Sequence, residues 1–88
     1  MQAELKGSLI SDRKALHEHL KLQLQLPEYY GNNLDALYDL LTERTAETKI
    51  LVTEWTELEV NLGSYAAALM DTLYDAAREN PMLTIQVK

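Results

Sequence analysis

Cysteine is missing from this 88-residue chain, which excludes a disulfide framework, a thiol nucleophile and a cysteine metal site. That fits a reducing compartment. Phenylalanine is missing too, so the core must be built largely from leucine, alanine, isoleucine and valine. With two prolines and three glycines there is no low-complexity tract or interdomain linker, and no internal repeat is visible. Cations are scarce: eight Lys and Arg against fourteen Asp and Glu leave a net charge of -6. Direct binding to nucleic acid or an anionic membrane is therefore disfavoured, and a basic partner favoured. No apolar run approaches the ~18 residues of a membrane span. Residues Met1 to Lys6 lack the basic and apolar regions of a signal peptide, so a cytoplasmic location is expected.

What remains is a chain with 47% hydrophobic and 25% charged residues, a globular rather than a disordered balance. Its length allows one domain, residues 1–88, near the size at which a single core suffices without disulfides or metal.

Ala3 and Leu5, alternating with Glu4 and Lys6 and ending at Gly7, predict a short first strand. Ser11 or Asp12 can cap the helix that follows. In it Leu16, Leu20 and Leu24 recur at four-residue intervals, leaving Leu22 towards solvent. Residues 20–26 also alternate as a strand would, but good helix-formers and an absence of β-branching favour helix. His17 and His19, two residues apart on that helix, point in different directions, and no carboxylate and histidine set completes a ligand shell. Surface or edge packing is expected for both, and no metal.

After a polar connection over residues 42–48, Lys49-Ile50-Leu51-Val52-Thr53 predicts a strand covered on both faces. Residues 54–63 fit either an extension of it or a short helix closed by Gly63. Ser64 is placed to cap the next helix, whose buried stripe is Ala66, Leu69, Met70, Leu73 and Ala77, and Asn80-Pro81 ends it. Leu83, Ile85 and Val87 alternate with Thr84 and Gln86 as a last strand. Strands separated by helical segments predict an α/β domain, with three parallel strands packed with about four helices.

The densest stretch is residues 26–41, Leu-Pro-Glu-Tyr-Tyr-Gly-Asn-Asn-Leu-Asp-Ala-Leu-Tyr-Asp-Leu-Leu. Pro27 and Gly31-Asn32-Asn33 predict a loop running straight into a helix. On that helix Leu34, Leu37, Tyr38 and Leu41 share a core face, and Asp35, Asp39 and Thr42 the neighbouring one. Carboxylates four residues apart repel by a few tenths of a kcal/mol. Only Asp35 lies near enough to the helix start for the macrodipole to favour it, which leaves Asp39 the odd residue locally. By spacing alone these acids are a solvated face.

The order of the residues adds to that. Pro27-Glu28-Tyr29-Tyr30-Gly31, then Asn33-Leu34-Asp35-Ala36-Leu37, then an aromatic and Asp39, closely resembles the signature of the barstar family. These are intracellular protein inhibitors of small secreted guanyl-type bacterial ribonucleases such as barnase. The resemblance is strongest from Leu26 to Thr42 and runs more weakly to Thr84-Ile85. It implies a barstar-like fold, helix rather than strand over residues 54–63, no cofactor and no catalysis. The implied partner is a basic secreted ribonuclease, bound one to one and plugged by the acidic helix and its preceding loop. Asp39 matches an aspartate occupying the place of a substrate phosphate, and a carboxylate can take bidentate hydrogen bonds from arginine as phosphate oxygens do. Asp35 matches an acidic contact beside it. Tyr29 and Tyr30 match aromatic contacts over the catalytic face, Gly31 after them belongs to the same partner-binding set, and Asn33 and Thr42 match peripheral polar contacts. Asp75 falls at an acidic contact on the edge, with Glu79 one turn further in the same field. Two departures stand out: Tyr38 replaces a tryptophan of the type member, and Arg44 lies in a loop that carries tryptophan there. A cation at that rim implies retuned specificity.

Two other readings compete. A hydrolase using Asp35 and Asp39 as acid and base lacks a pocket, a desolvated neighbour and oxyanion donors. A non-inhibitory module that keeps the fold and binds another basic protein is the alternative function.

Overall fold

Three short segments form the strands β1 (Gln2–Lys6), β2 (Thr48–Thr53) and β3 (Leu83–Val87); burial alternates along the first two, while in β3 Leu83 is buried, Ile85 half-buried and Val87 exposed. The computed structural model describes residues 1–88. All pairing is parallel, in the order β1-β2-β3, with Ala3, Ile50 and Ile85 in one cross-strand row and Leu5, Val52 and Val87 in another. Ala3, Leu5, Ile50 and Val52 are fully buried, while Gln2, Glu4, Lys6 and Lys49 on the opposite face are exposed. The central strand is therefore covered on one face rather than both. Leu51 and Thr53, on its other face, are only half-buried, because the helices gather on a single side.

Four helices carry the connections: α1 (Arg13–Leu24), α2 (Leu34–Thr42), α3 (Trp55–Leu62) and α4 (Ser64–Glu79), with one 3-10 turn at Gly7–Leu9. Asp12 caps α1 by accepting from the Ala15 N–H at 2.8 Å. Leu16, Leu20 and Leu24 are buried as their spacing predicts, and Leu22 is exposed. The helix ends with Gln25 in the left-handed region at φ 54°, a position glycine more often takes. Along the edge of β1, α1 supplies the partners a missing strand would: the Gln23 side chain accepts from Glu4 N–H at 3.0 Å, and His19 Nε2 donates to the Glu4 carbonyl at 2.7 Å.

The segment of residues 54–63 is a helix, α3, with Glu54 and Gly63 as its caps, rather than an extension of β2. Gly7 lets the end of β1 touch this element, since a Cβ there would collide with the Glu54 carbonyl oxygen and the Leu58 nitrogen. Gly63, at φ 60°, turns the chain directly from α3 into α4. Ser64 does not cap α4: it is the first helical residue, and the cap position falls on Gly63 with no side-chain bond. The buried stripe of α4 is Ala66, Leu69, Met70, Leu73 and Ala76, with Ala77 turned partly out. The first four stand at the i, i+3, i+4, i+7 positions that a 3.6-residue turn brings to one face, and Ala76 follows three residues on. α2 packs on α4 through Leu37 and Leu41, both fully buried and worth about 1.5–3 kcal/mol each by area removed from water.

Candidate functional site

The loop of residues 25–33 is pinned at several points before it meets α2. Lys21 on α1 pairs with Glu28 at 3.1 Å, and Tyr30 N–H donates to the Pro27 carbonyl at 3.0 Å. Asn32 takes a left-handed conformation, φ 55°, which asparagine tolerates. Asn33 then starts the helix: its Oδ1 accepts from Ala36 N–H at 2.7 Å, and its Nδ2 donates to the Gly31 carbonyl at 3.1 Å. Asn33 thus serves as the N-cap that fixes the loop onto α2, in addition to any contact it makes outside the molecule.

This construction turns the two tyrosines opposite ways. Tyr29 stands out, 79% exposed, between two shallow grooves that share Leu40 and Glu43; Asp39 lines one and Arg44 the other. Tyr30 points inward, 5% exposed, with its hydroxyl 2.6 Å from His17 Nδ1. The expected pair of outward aromatics is thus one outward residue and one core residue. Burial pushes the Tyr30 phenol far above its ordinary range, so it stays protonated. His17 is likewise buried rather than at the surface, and its Nε2 lies 2.8 Å from the Tyr65 hydroxyl on α4. Desolvation holds its pKa below the ordinary 6.5.

α2 and its C-cap residue present Asp35, Asp39 and Glu43 at four-residue intervals, all exposed. None takes part in an ion pair: the molecule's two ion pairs join Lys21 to Glu28 and Arg78 to Asp75. Glu43 was not singled out by the sequence reading. Its signal is the Asp39-x-x-x-Glu43 spacing, which adds a third carboxylate at the helix end where the macrodipole disfavours it. Thr42 is half-buried, and its hydroxyl donates to the Asp39 carbonyl at 3.0 Å. Tyr38 is half-buried against the core.

Arg44 is not a free cation at the rim. Its Nε donates to Thr48 Oγ1 at 3.0 Å, its Nη1 to the Leu24 carbonyl at 2.9 Å, and its Nη2 meets Met1 Sδ at 2.9 Å. The fork satisfies the carboxyl end of α1 and ties it to the start of β2. Buried Asn80 holds the same region, donating to the Leu41 and Arg44 carbonyls at 2.9 Å each and accepting from Met82 N–H at 3.0 Å. On α4, Asp75 is engaged by Arg78 one turn on, and Glu79 is exposed. That pairing reduces what Asp75 adds to the acidic field.

No cluster of three or more His, Cys, Asp and Glu side chains is placed to hold a metal ion. No helix is long and apolar enough to cross a membrane.

Comparison with known proteins agrees with this geometry. The family model for barstar, described as barnase inhibitor, matches residues 1–88. A Bacillus subtilis (strain 168) protein named "Putative ribonuclease inhibitor YrdF" is 40% identical over 76 residues, covering 85% of this chain and 84% of its own length. With its parallel three-stranded sheet, its four helices and its exposed acidic α2, the chain belongs to the barstar family.

Proposed function

We propose that this protein is an inhibitor of a barnase-like secreted ribonuclease, held in the cytoplasm and binding its target one to one. α2 and the loop before it plug the active site, and the Asp39 carboxylate takes the place of a substrate phosphate. A ribonuclease grips the scissile phosphate with cationic donors, and the same donors can grip a carboxylate. The observation that carries this reading is the state of α2: Asp35 and Asp39 are exposed and unpaired on a rigidly anchored helix, beside a tyrosine that is 79% exposed.

In this reading Asp35 flanks Asp39, Tyr29 is the aromatic anchor, Gly31 contributes backbone, and Thr42 and Tyr38 border the contact. An aromatic anchor buries a large area while freezing few torsions. Tyr30, Asn33 and Arg44 support the contact from within, and Asp75 with Glu79 lies at its edge. Catalysis has no place in it, because Asp35 and Asp39 lie on an open helix surface rather than in a desolvated pocket.

The test is a titration of barnase activity with the protein. A linear fall to an end point at one equivalent is expected, with association slowing as ionic strength rises because opposite charges steer the encounter. Full ribonuclease activity in the presence of excess protein would remove barnase as the model of its target. Asp39→Ala that inhibits as well as the wild type would remove the phosphate-mimic reading.

A further inference from the structure

The loop that carries Tyr29 has a support that runs through three elements. His17 on α1 lies between two phenols: its Nδ1 is 2.6 Å from the Tyr30 hydroxyl and its Nε2 is 2.8 Å from the Tyr65 hydroxyl. Tyr30 is 5% exposed, and its hydroxyl has the His17 ring as its hydrogen-bond partner. A hydroxyl in that position must donate, because accepting would leave its own proton without a partner in the core. His17 Nδ1 is then the acceptor. Its Nε2 therefore carries the hydrogen and donates to the Tyr65 oxygen. Tyr65 is half-buried, so its own proton can reach water. The Arg13 guanidinium stacks over the Tyr65 ring at 4.1 Å, which holds that ring in place from the solvent side.

The tautomer that Tyr30 demands is thus the one that Tyr65, 48 positions from His17, is placed to accept from. Without the Tyr65 hydroxyl, the Nε2 hydrogen loses its acceptor, and the tautomer with hydrogen on Nδ1 becomes competitive. That tautomer donates to the Tyr30 oxygen instead of accepting from it, which leaves the buried phenol proton without a partner. Tyr30 sits one residue after Tyr29 and one before Gly31, so its anchorage sets where both are held.

We propose that Tyr65 is a positioning residue for ribonuclease inhibition, acting through the imidazole of His17 to hold Tyr30 and thereby the recognition loop of residues 25–33. The functional half of this proposal rests on the inhibitor reading above, whereas the positioning itself is a property of the free protein. Acid opens the same latch. A proton added at His17 Nδ1 reverses the bond, so that the ring donates to the Tyr30 oxygen and the phenol proton loses its only acceptor, and the groups facing the ring are Tyr30 from the loop, Tyr65 from α4 and, behind Tyr65, Arg13.

The experiment compares wild type, Tyr65→Phe and Tyr30→Phe. Nitrogen-15 spectra of the His17 ring at neutral pH are expected to show hydrogen on Nε2 in the wild type and a shift towards Nδ1 in Tyr65→Phe. Amide-exchange protection of Tyr30, the hydrogen-bonded N–H of this loop, is expected to fall about threefold to tenfold in Tyr65→Phe, the loss of one hydrogen bond, while Ile50 and Val52 in the central strand hold theirs. In the wild type, loop protection should fall on acidification relative to the strand, and in Tyr30→Phe that relative fall should vanish. The Kd for barnase should rise by a similar factor in Tyr65→Phe. An unchanged tautomer with unchanged loop protection overturns the proposal, as does a loss of protection spread evenly over loop and strand. If the wild type fails to bind barnase, the inhibitor reading is what fails, and the tautomer and exchange results still decide the positioning. If Tyr65→Phe does not fold, the pH dependence of loop protection in wild type against Tyr30→Phe decides it.

Discussion

Asn80→Ala should be among the most damaging single changes in this molecule, although Asn80 touches no partner. The side chain is 6% exposed and makes three hydrogen bonds: Nδ2 to the Leu41 carbonyl, Nδ2 to the Arg44 carbonyl, and Oδ1 from Met82 N–H. Truncation removes three hydrogen bonds and orphans the Arg44 carbonyl and the Met82 amide, while the Leu41 carbonyl keeps the Arg44 N–H at 3.3 Å. Water can reach both orphans, so each lost bond counts at its net worth of about 0.5–1.5 kcal/mol, and three give about 2–4 kcal/mol. An 88-residue chain has an unfolding entropy near 0.19 kcal/mol/K, so about 1 kcal/mol corresponds to ~5 °C. The melting midpoint should therefore fall by about 10–20 °C, read by calorimetry or far-ultraviolet circular dichroism. Because two of the bonds hold the carboxyl end of α2 and the turn after it, protection there should fall further than in β1. A midpoint lowered by less than ~3 °C would mean that water replaces all three bonds, and the argument for Asn80 as the clamp of α2 would be lost.

Other expectations are open to direct measurement. Asp39→Ala should raise the dissociation constant for barnase by about 30-fold to 5,000-fold, the range for leaving a buried cation unpaired. It should not lower the melting temperature, because the carboxylate is unpaired in the free protein. Glu43→Gln should raise the melting midpoint by about 2–5 °C by removing an acid from a helix carboxyl end; a lower midpoint would show that the carboxylate has a stabilising partner. Stability should also depend on pH through His17. Its folded pKa is depressed below 6.5, so the neutral ring's contribution is complete above about pH 6.5 and is lost as pH falls through the folded value. Urea unfolding followed from pH 7.5 downward should show the decline beginning near pH 6.5. A flat profile to pH 5 would show that folding leaves His17 unperturbed.

Much of the architecture was legible because it rests on local periodicity. Leu16, Leu20 and Leu24 mark α1 whatever lies around them, and alternation marks β1 and β3. The single-sided cover of β2 was not legible, since an apolar run such as Ile50-Leu51-Val52 reads the same whether one face or two are buried. Ser64 misled because a serine before a helix usually caps it, whereas here Gly63 reaches a backbone angle that lets α4 begin one residue early. The site divided along the same line. Asp35 and Asp39 could be placed on an exposed face from α2 alone. Tyr29 and Tyr30 could not be told apart, because their opposite directions come from the turn closed by Tyr30 N–H on the Pro27 carbonyl, which has no period. Arg44 lies in a polar connection, and only the folded chain brings the Leu24 carbonyl, twenty residues back, within its reach. The His17 partners are likewise long-range, and Tyr65 carries no signal that would connect it to a loop near Tyr30.

Taken together, these contacts explain how a helix of nine residues and its C-cap can carry three unpaired acids. Neighbouring carboxylates on one helix face repel by a few tenths of a kcal/mol per pair, and Glu43 at the carboxyl end adds about 0.3–1 kcal/mol against the dipole. Against this stand the burial of Leu37 and Leu41 at about 1.5–3 kcal/mol each, the Asn33 cap at about 1 kcal/mol, and the Asn80 clamp. The anchorage exceeds the repulsion severalfold, so the acids remain in place without a cation beside them. Sequence and packing thus divide the helix in two. Its inner face and both ends make it rigid, and its outer face stays electrostatically unsatisfied until a basic surface meets it. A partner that supplies cations there gains the charge pairing without first having to break ion pairs within the inhibitor, and it meets a helix whose ordering has already been achieved by folding.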